Sequence, residues 1–391
     1  MRVLFFNEGN LGTHIMGQGQ LEGALRRGAA ASAGVEARFA GLAPMGRVAT
    51  ALATRRIQPL ARLDLDLDML RWQLVQSTRA RHALQREVSE WQPDIVHVHT
   101  QSVALTLSGL RLNAPLAISM DTTIRDWWEM PAWHRHHRHS NLLIAPSRAL
   151  ERRALGRAAV TLAWTGWARR AAEREAPRAH IEEHHPGIDL ERYRPAPKLE
   201  RALPRILFVG GRFTEKGGHD LLAALGDELG RTIELDLVTP AEISARDGLR
   251  VHRLEPSDPA LLDLHQQADL FCLPTYGDAA PWAALEAMAC GTPVLASGLG
   301  GLPDMLDAGR VGVLVGHGDV AGLREAILST LGDPARLASL ARAARARCEE
   351  RYDERVQFAK LTALLDAAIG AQRPSTGRRG RARRLPRRRA S

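Results

Sequence analysis

The sequence predicts an α/β protein made of two doubly wound parallel-sheet domains in tandem, an expectation that rests on three observations. The chain has 391 residues, beyond the size at which one hydrophobic core keeps growing, so two domains of roughly 150–200 residues are expected. Short apolar runs alternate with longer stretches of helical period along the chain, the pattern of βαβ units with right-handed crossovers. A proline cluster, Pro195-Ala196-Pro197 and then Pro204, interrupts that rhythm near the middle and marks a linker. The expected divisions are 1–195, 196–353, a last amphipathic helix within 354–372 and a tail over 373–391.

Composition narrows the setting. Hydrophobic residues make up 45% of the chain, enough for substantial cores. Cys272, Cys290 and Cys348 sit in apolar contexts without CxxC spacing, which suits a reducing compartment and argues against structural disulfides. The first residues enter a strand at once, without the apolar core of a signal peptide, and no stretch has the apolar length of a membrane span. A cytoplasmic location is expected. The net charge of +9 belongs to the tail, whose nine Arg and no acid leave the other 372 residues with 44 basic and 44 acidic groups. Such a tail, rich in Arg, Gly, Pro and Ser, cannot fold alone; its expected partner is an anionic membrane surface on the inner face of the cell membrane, with nucleic acid the less favoured polyanion.

In chain order, Val3 to Asn7 is a buried strand, and Glu8-Gly9-Asn10-Leu11-Gly12 a turn-rich loop leading past His14 to a helix around Leu21–Arg27. Gly17-Gln18-Gly19 is not a dinucleotide fingerprint, since it does not directly follow the strand and lacks a correctly spaced third glycine. Residues 55–90 have helical spacing. Asp64, Asp66 and Asp68 fit a helix's acidic first turn better than a DxD metal motif. Pro93 to His99 is a parallel strand with His97 and His99 on one face, and Pro115 to Met120 another, which puts Asp121 at the sheet's C-terminal edge, where open α/β sheets bind ligands. His134, His136, His137 and His139 suggest metal, but the interleaved Arg135 and Arg138 would repel a cation, so a basic loop or helix start is expected. Val160–Trp164 and Ile181–His184 complete the first set of strands.

The second half opens with a strand, Arg205 to Val209, running into Gly210-Gly211-Arg212 and Lys216-Gly217-Gly218 ahead of a helix over Asp220–Leu229. Close backbone approach followed by two cations is what a diphosphate needs, although no Walker Gly-Lys-Ser/Thr is present. Leu235–Val238, Leu249–Leu254 and Ala268–Leu273 continue the strands. After the last comes the loop Tyr276-Gly277-Asp278, a helix that Pro281 opens and Gly291 ends, a strand over Val294–Ala296, and the glycines Gly298, Gly300 and Gly301. Glu286 lies on this otherwise apolar helix, so its charge needs a partner or solvent in a cleft. With Asp278 eight residues earlier, two carboxylates point at one ligand beside helix N-terminal amides; an N-cap Asp and a Glu buried in an ion pair is the competing reading. Helices over Val320–Leu331, Pro334–Glu350 and Glu354–Ile369 cover the sheet.

The run Glu286-Ala287-Met288-Ala289-Cys290-Gly291-Thr292-Pro293-Val294, with an acid preceding it by seven intervening residues, resembles the signature of the retaining glycosyltransferases of family 4. The resemblance implies the GT-B fold, two Rossmann-like domains facing across a cleft, with the last helix returning to the first domain. It implies transfer from a nucleoside diphosphate sugar, held mainly by the second domain, to a glycan, glycolipid or polysaccharide precursor held mainly by the first, without metal or other cofactor. On the donor side it places Gly210, Gly211, Arg212, Lys216, Arg253, Leu254, Asp278, Ala279, Ala280, Pro281 and Glu286, with Arg212 and Lys216 on the diphosphate, Asp278 on the sugar and Glu286 on the ribose. On the acceptor side it places Gly12, His14, His99 and Asp121. Asp278 stands where the family usually has Glu, and Met120 where it usually has His, which makes Asp121 the substitute and the fifth catalytic candidate beside Arg212, Lys216, Asp278 and Glu286. Two rivals are a nucleotide-sugar epimerase on the same fold and a catalytically weak homologue serving as a binding or scaffold partner.

Overall fold

The structure, a computed structural model, describes residues 1–9, 15–62, 67–110, 112–133 and 140–372. It contains two six-stranded sheets, parallel throughout. The first comprises β1 (Arg2–Asn7), β2 (Glu36–Gly41), β3 (Ile95–His99), β4 (Leu116–Met120), β5 (Val160–Ala163) and β6 (Ile181–Glu183), in the order β2-β1-β3-β4-β5-β6. The second comprises β7 (Arg205–Val209), β8 (Glu234–Val238), β9 (Leu249–His252), β10 (Leu270–Leu273), β11 (Val294–Ser297) and β12 (Val313–Val315), in the order β12-β11-β10-β7-β8-β9. The central strands are short, apolar and buried on both faces, as a sheet covered by helices on each side requires.

The alternation along β1 shows how the first domain is layered. Leu4 and Phe6 pack with Leu84 and Val88 of the helix Asp68–Trp91, whereas Val3 and Phe5 pack on the opposite face with Leu21 and Leu25 of the helix Ile15–Ala31. The last helix, Glu354–Gln372, joins this second layer: Phe358, Leu361, Leu365 and Ile369 are buried against the first sheet, not the second. The crossing is pinned by backbone hydrogen bonds from Ile188 N to Tyr352 O (2.7 Å) and from Glu354 N to Ile188 O (3.1 Å).

Both sheets have a point where the strand order reverses, between β1 and β3 in the first and between β7 and β10 in the second. In open α/β sheets such a switch point, at the C-terminal ends of the strands, is where ligands bind. The strands β2 and β12 and several helices, Ser140–Arg157 the longest of them, were not foreseen. β2 is an edge strand of mixed character carrying Glu36 and Arg38, β12 is three half-buried residues, and the helix Ser140–Arg157 carries an internal Pro146. Pro281 caps the helix Trp282–Ala289 from outside instead of being its first residue. All three cysteines are buried and free.

Candidate active site

The second sheet's switch point brings together the loops after β7 and β10. Gly217 joins them: it has φ of +75°, and a Cβ there would lie 1.9 Å from Pro274 O, so only glycine lets the two loops touch. Above this contact the Lys216 ammonium forms an ion pair with the Asp278 carboxylate. Tyr276 N–H donates to Glu215 O at 2.9 Å, and Tyr276 Oη donates to Asp220 at 2.6 Å, so the second loop is braced at both ends of its tyrosine. Gly300, with φ of +61°, lies against this loop, where a Cβ would sit 1.9 Å from Asp278 O. A Cβ at Gly301 would likewise sit 1.9 Å from Ala279 O, so Gly300 and Gly301 serve a contact of loop on loop.

Glu286 is buried, and its charge is met from elsewhere in the chain. Tyr193 Oη donates to it at 3.1 Å and Gln20 Nε2 at 3.3 Å, while Nε2 of the buried His265 lies 3.3 Å from its other oxygen. Burial, and then the Glu286 charge, push the Tyr193 phenol above its ordinary range, so it stays a donor. These partners come from the first domain's helix Ile15–Ala31, the interdomain junction and the helix Pro259–Gln267. The sequence assigned no role to Tyr193, Gln20 or His265, which have no spacing relation to Glu286.

Asp121 follows β4 on the opposite domain. Its carboxyl is pushed up to about 6, first by burial and then by the negative charge of Asp278, with Lys216 acting in the opposite sense. Arg212 is half-exposed, with Glu215 at 3.9 Å; its guanidinium carbon lies 4.5 Å from the ring centre of Trp133, a first-domain residue.

Other sequence candidates are placed as follows. Ala279 and Pro281 are buried between Asp278 and the helix, and Ala280 and Trp282 pack against the first domain's core. Gly210 and Gly211 form the turn after β7, and Arg253 and Leu254 follow β9, with Arg253 exposed. His99 is buried on the same face as His97, their rings 4.4 Å apart, and none of the four ring nitrogens has a hydrogen-bond partner among the described residues. Burial holds both imidazoles neutral, His99 down to about 3. Asp68 does open a helix in its first turn. Gly12, His14, Asp64, Asp66, the His-rich segment 134–139 and the Arg-rich tail lie outside the described residues. Among the described residues no group of three or more His, Cys, Asp or Glu is arranged to hold a metal ion.

Comparison with known proteins adds the family. The model for Glycosyltransferase Family 4 matches residues 26–192, and that for Glycosyl transferases group 1 matches 203–333. Among curated relatives, a glycogen synthase of Mycobacterium tuberculosis is 37% identical over 203 residues, covering 48% of this chain and 49% of the relative. A D-inositol 3-phosphate glycosyltransferase of Catenulispora acidiphila is 34% identical over 186 residues, covering 40% and 44%. The chain thus spans about half the length of these relatives. Among solved structures, sucrose-phosphate synthase from Thermosynechococcus elongatus superposes with a TM-score of 0.72 at 17% identity, covering 95% of this chain and 100% of its own. Anabaena HepE in complex with UDP-glucose superposes with a TM-score of 0.65 at 16% identity, covering 94% and 100%. At these identities the likeness establishes the two-domain GT-B fold.

Proposed function

The chain belongs to the glycosyltransferases of group 1 and family 4, whose two models it matches one after the other, and on that premise we propose that it is a retaining, nucleotide-sugar-dependent glycosyltransferase. One observation carries the reading: the Lys216 ammonium and the Asp278 carboxylate meet at the switch point of the second sheet. The donor's diphosphate takes Lys216 away from Asp278, which frees that carboxylate for the sugar's hydroxyls. Arg212 and Lys216 then neutralise the leaving group, the main electrostatic demand of this reaction, in the place a metal ion would otherwise take. Glu286 holds the ribose, and Asp121 orients the acceptor hydroxyl.

In this reading the bond from the anomeric carbon to the diphosphate oxygen breaks, and the bond to the acceptor oxygen forms on the same face of the sugar. The acceptor's proton passes to the departing phosphate. The acceptor is a cell-envelope glycan, a glycolipid or a polysaccharide precursor. HepE's complex with UDP-glucose makes that sugar the first donor to try.

The test is a thermal-shift screen against UDP-, GDP-, ADP- and dTDP-sugars, followed by transfer assays in EDTA with the product anomer assigned by NMR. Arg212→Ala and Lys216→Ala should each lower kcat/KM by about one to two orders of magnitude, the worth of a charge-assisted contact of about 1.5–3 kcal/mol. Unchanged kcat/KM in both, an inverted anomer, or dependence on added Mg²⁺ would each overturn part of the reading. Conversion of the donor with no acceptor present would point to an epimerase, and nucleotide binding without turnover to a binding partner.

A further inference from the structure

We infer that Trp133, supplied by the first domain, is the positioning residue for Arg212 of the donor site, so that the diphosphate site is complete only when the two domains are seated against each other. The inference rests on the donor-site reading above. The guanidinium carbon of Arg212 lies 4.5 Å from the centre of the Trp133 ring. A guanidinium over an indole face gives up none of its in-plane N–H donors, so the stack fixes the direction of the fork while leaving its edge free for phosphate oxygens. Glu215, at 3.9 Å, is a second partner of Arg212, and a charged one.

Trp133 is itself held on two sides. Its ring stacks on that of Trp127, with centroids 5.3 Å apart and planes 11° apart, and Trp127 belongs to the helix Ile124–Glu129 that follows Asp121. The adjoining backbone is fastened to the second domain: Ala132 N–H donates to Tyr276 O at 2.9 Å. Gly277 supplies the slot, since a Cβ there would lie 2.8 Å from Ala132 Cβ and 2.9 Å from Trp133 Nε1, neither of which is a flexible side-chain end. One first-domain segment, residues 121–133, therefore carries both Asp121, just past β4, and Trp133, set against Arg212. Sequence reading had no means of pairing Trp133 with Arg212, because they lie on different domains.

Equilibrium binding of UDP, GDP, ADP and dTDP to the full chain tests this, with Trp133→Phe, Trp133→Leu, Gly277→Ala, Arg212→Ala and the double variant Trp133→Leu/Arg212→Ala. For whichever nucleotide binds the wild type, Trp133→Leu should weaken binding about three- to thirty-fold, the range for a cation–π contact between exposed and desolvated limits. Trp133→Phe, which keeps an aromatic face, should recover most of that, and Gly277→Ala, which displaces the ring without removing it, should reproduce the loss. In the Arg212→Ala background the Trp133→Leu penalty should vanish, an outcome that a merely structural tryptophan would not give. Wild-type affinity in Trp133→Leu, or a penalty that adds in full to that of Arg212→Ala, would overturn the inference and leave the donor site intact. Failure of the wild type to bind any of the four would overturn the donor-site reading, and this inference with it.

Discussion

At the scale of single residues, Asp121 joins the chemistry of the two domains. It occupies the end of an apolar parallel strand, beside a buried Met120 that cannot accept a proton. With its carboxyl at about 6, it is protonated below that pH and an acceptor above it. Asp121→Asn should therefore lower kcat while leaving nucleotide affinity nearly unchanged, because its contacts are to sugar or acceptor. The wild-type kcat/KM should rise with pH through about 6, and the Asn variant should lose that limb. Equal activity in the variant would reduce Asp121 to a turn residue. The sequence placed Asp121 at the sheet edge because a strand followed by Asp is a local pattern. That its carboxyl would sense Asp278, 157 residues later, was not local and was not legible.

At the scale of elements, β3 and the last helix carry unusual features. His97 and His99 on β3 and His184 beyond β6 are buried imidazoles, His99 held down to about 3 and His184 to about 4, chiefly by burial. The unfolded chain takes up protons at these groups below about 6.5, so between about 6.5 and 4 it binds more protons than the fold, and stability falls as pH falls. Glu151, pushed up to about 8 by burial and then by the charges of Glu175 and Asp126, acts in the other direction. The fold keeps its proton where the unfolded chain has lost it, so from about 4.5 to 8 this group lowers stability as pH rises. Urea unfolding should show a stability maximum near pH 6–7, with His99→Leu flattening the acid limb and Glu151→Gln the alkaline one; a monotonic profile would contradict the neutral burial of these groups. The last helix offers a separate check. A Cβ at Gly28 would lie 2.3 Å from the ring of Phe358, so Gly28→Ala must push two helices apart and should cost about 1–3 kcal/mol. Because alanine raises helix propensity by about 1 kcal/mol, an increase in the urea midpoint would show that Gly28 is not a packing site.

At the scale of the whole molecule, the second half of the chain was the more legible, and the tail remains the unexplored part. No helix among the described residues is long and apolar enough to cross a membrane. The nine Arg beyond Gln372 are our proposed means of holding the protein to an anionic surface, each worth about 1 kcal/mol near such a surface. Truncation after Gln372 should abolish sedimentation with phosphatidylserine vesicles and leave transfer to a soluble acceptor intact; binding that is the same with and without the tail would refute this. The sequence by itself determined the two parallel sheets, and it put Gly210, Gly211, Arg212 and Lys216 on one loop after β7 and Asp278 and Glu286 around the helix Trp282–Ala289. These are set by hydrophobic period and by glycine and proline chemistry, which act within a few residues of the chain. It did not name the edge strands β2 and β12, since a half-buried edge has no clean period. Only the tertiary structure decided that Gln20 and Tyr193 would meet Glu286, that Trp133 would meet Arg212, and that the closing helix would seat Phe358 on Gly28. Those pairings arise when elements distant in the chain pack together, and no local pattern in either partner encodes the other's position.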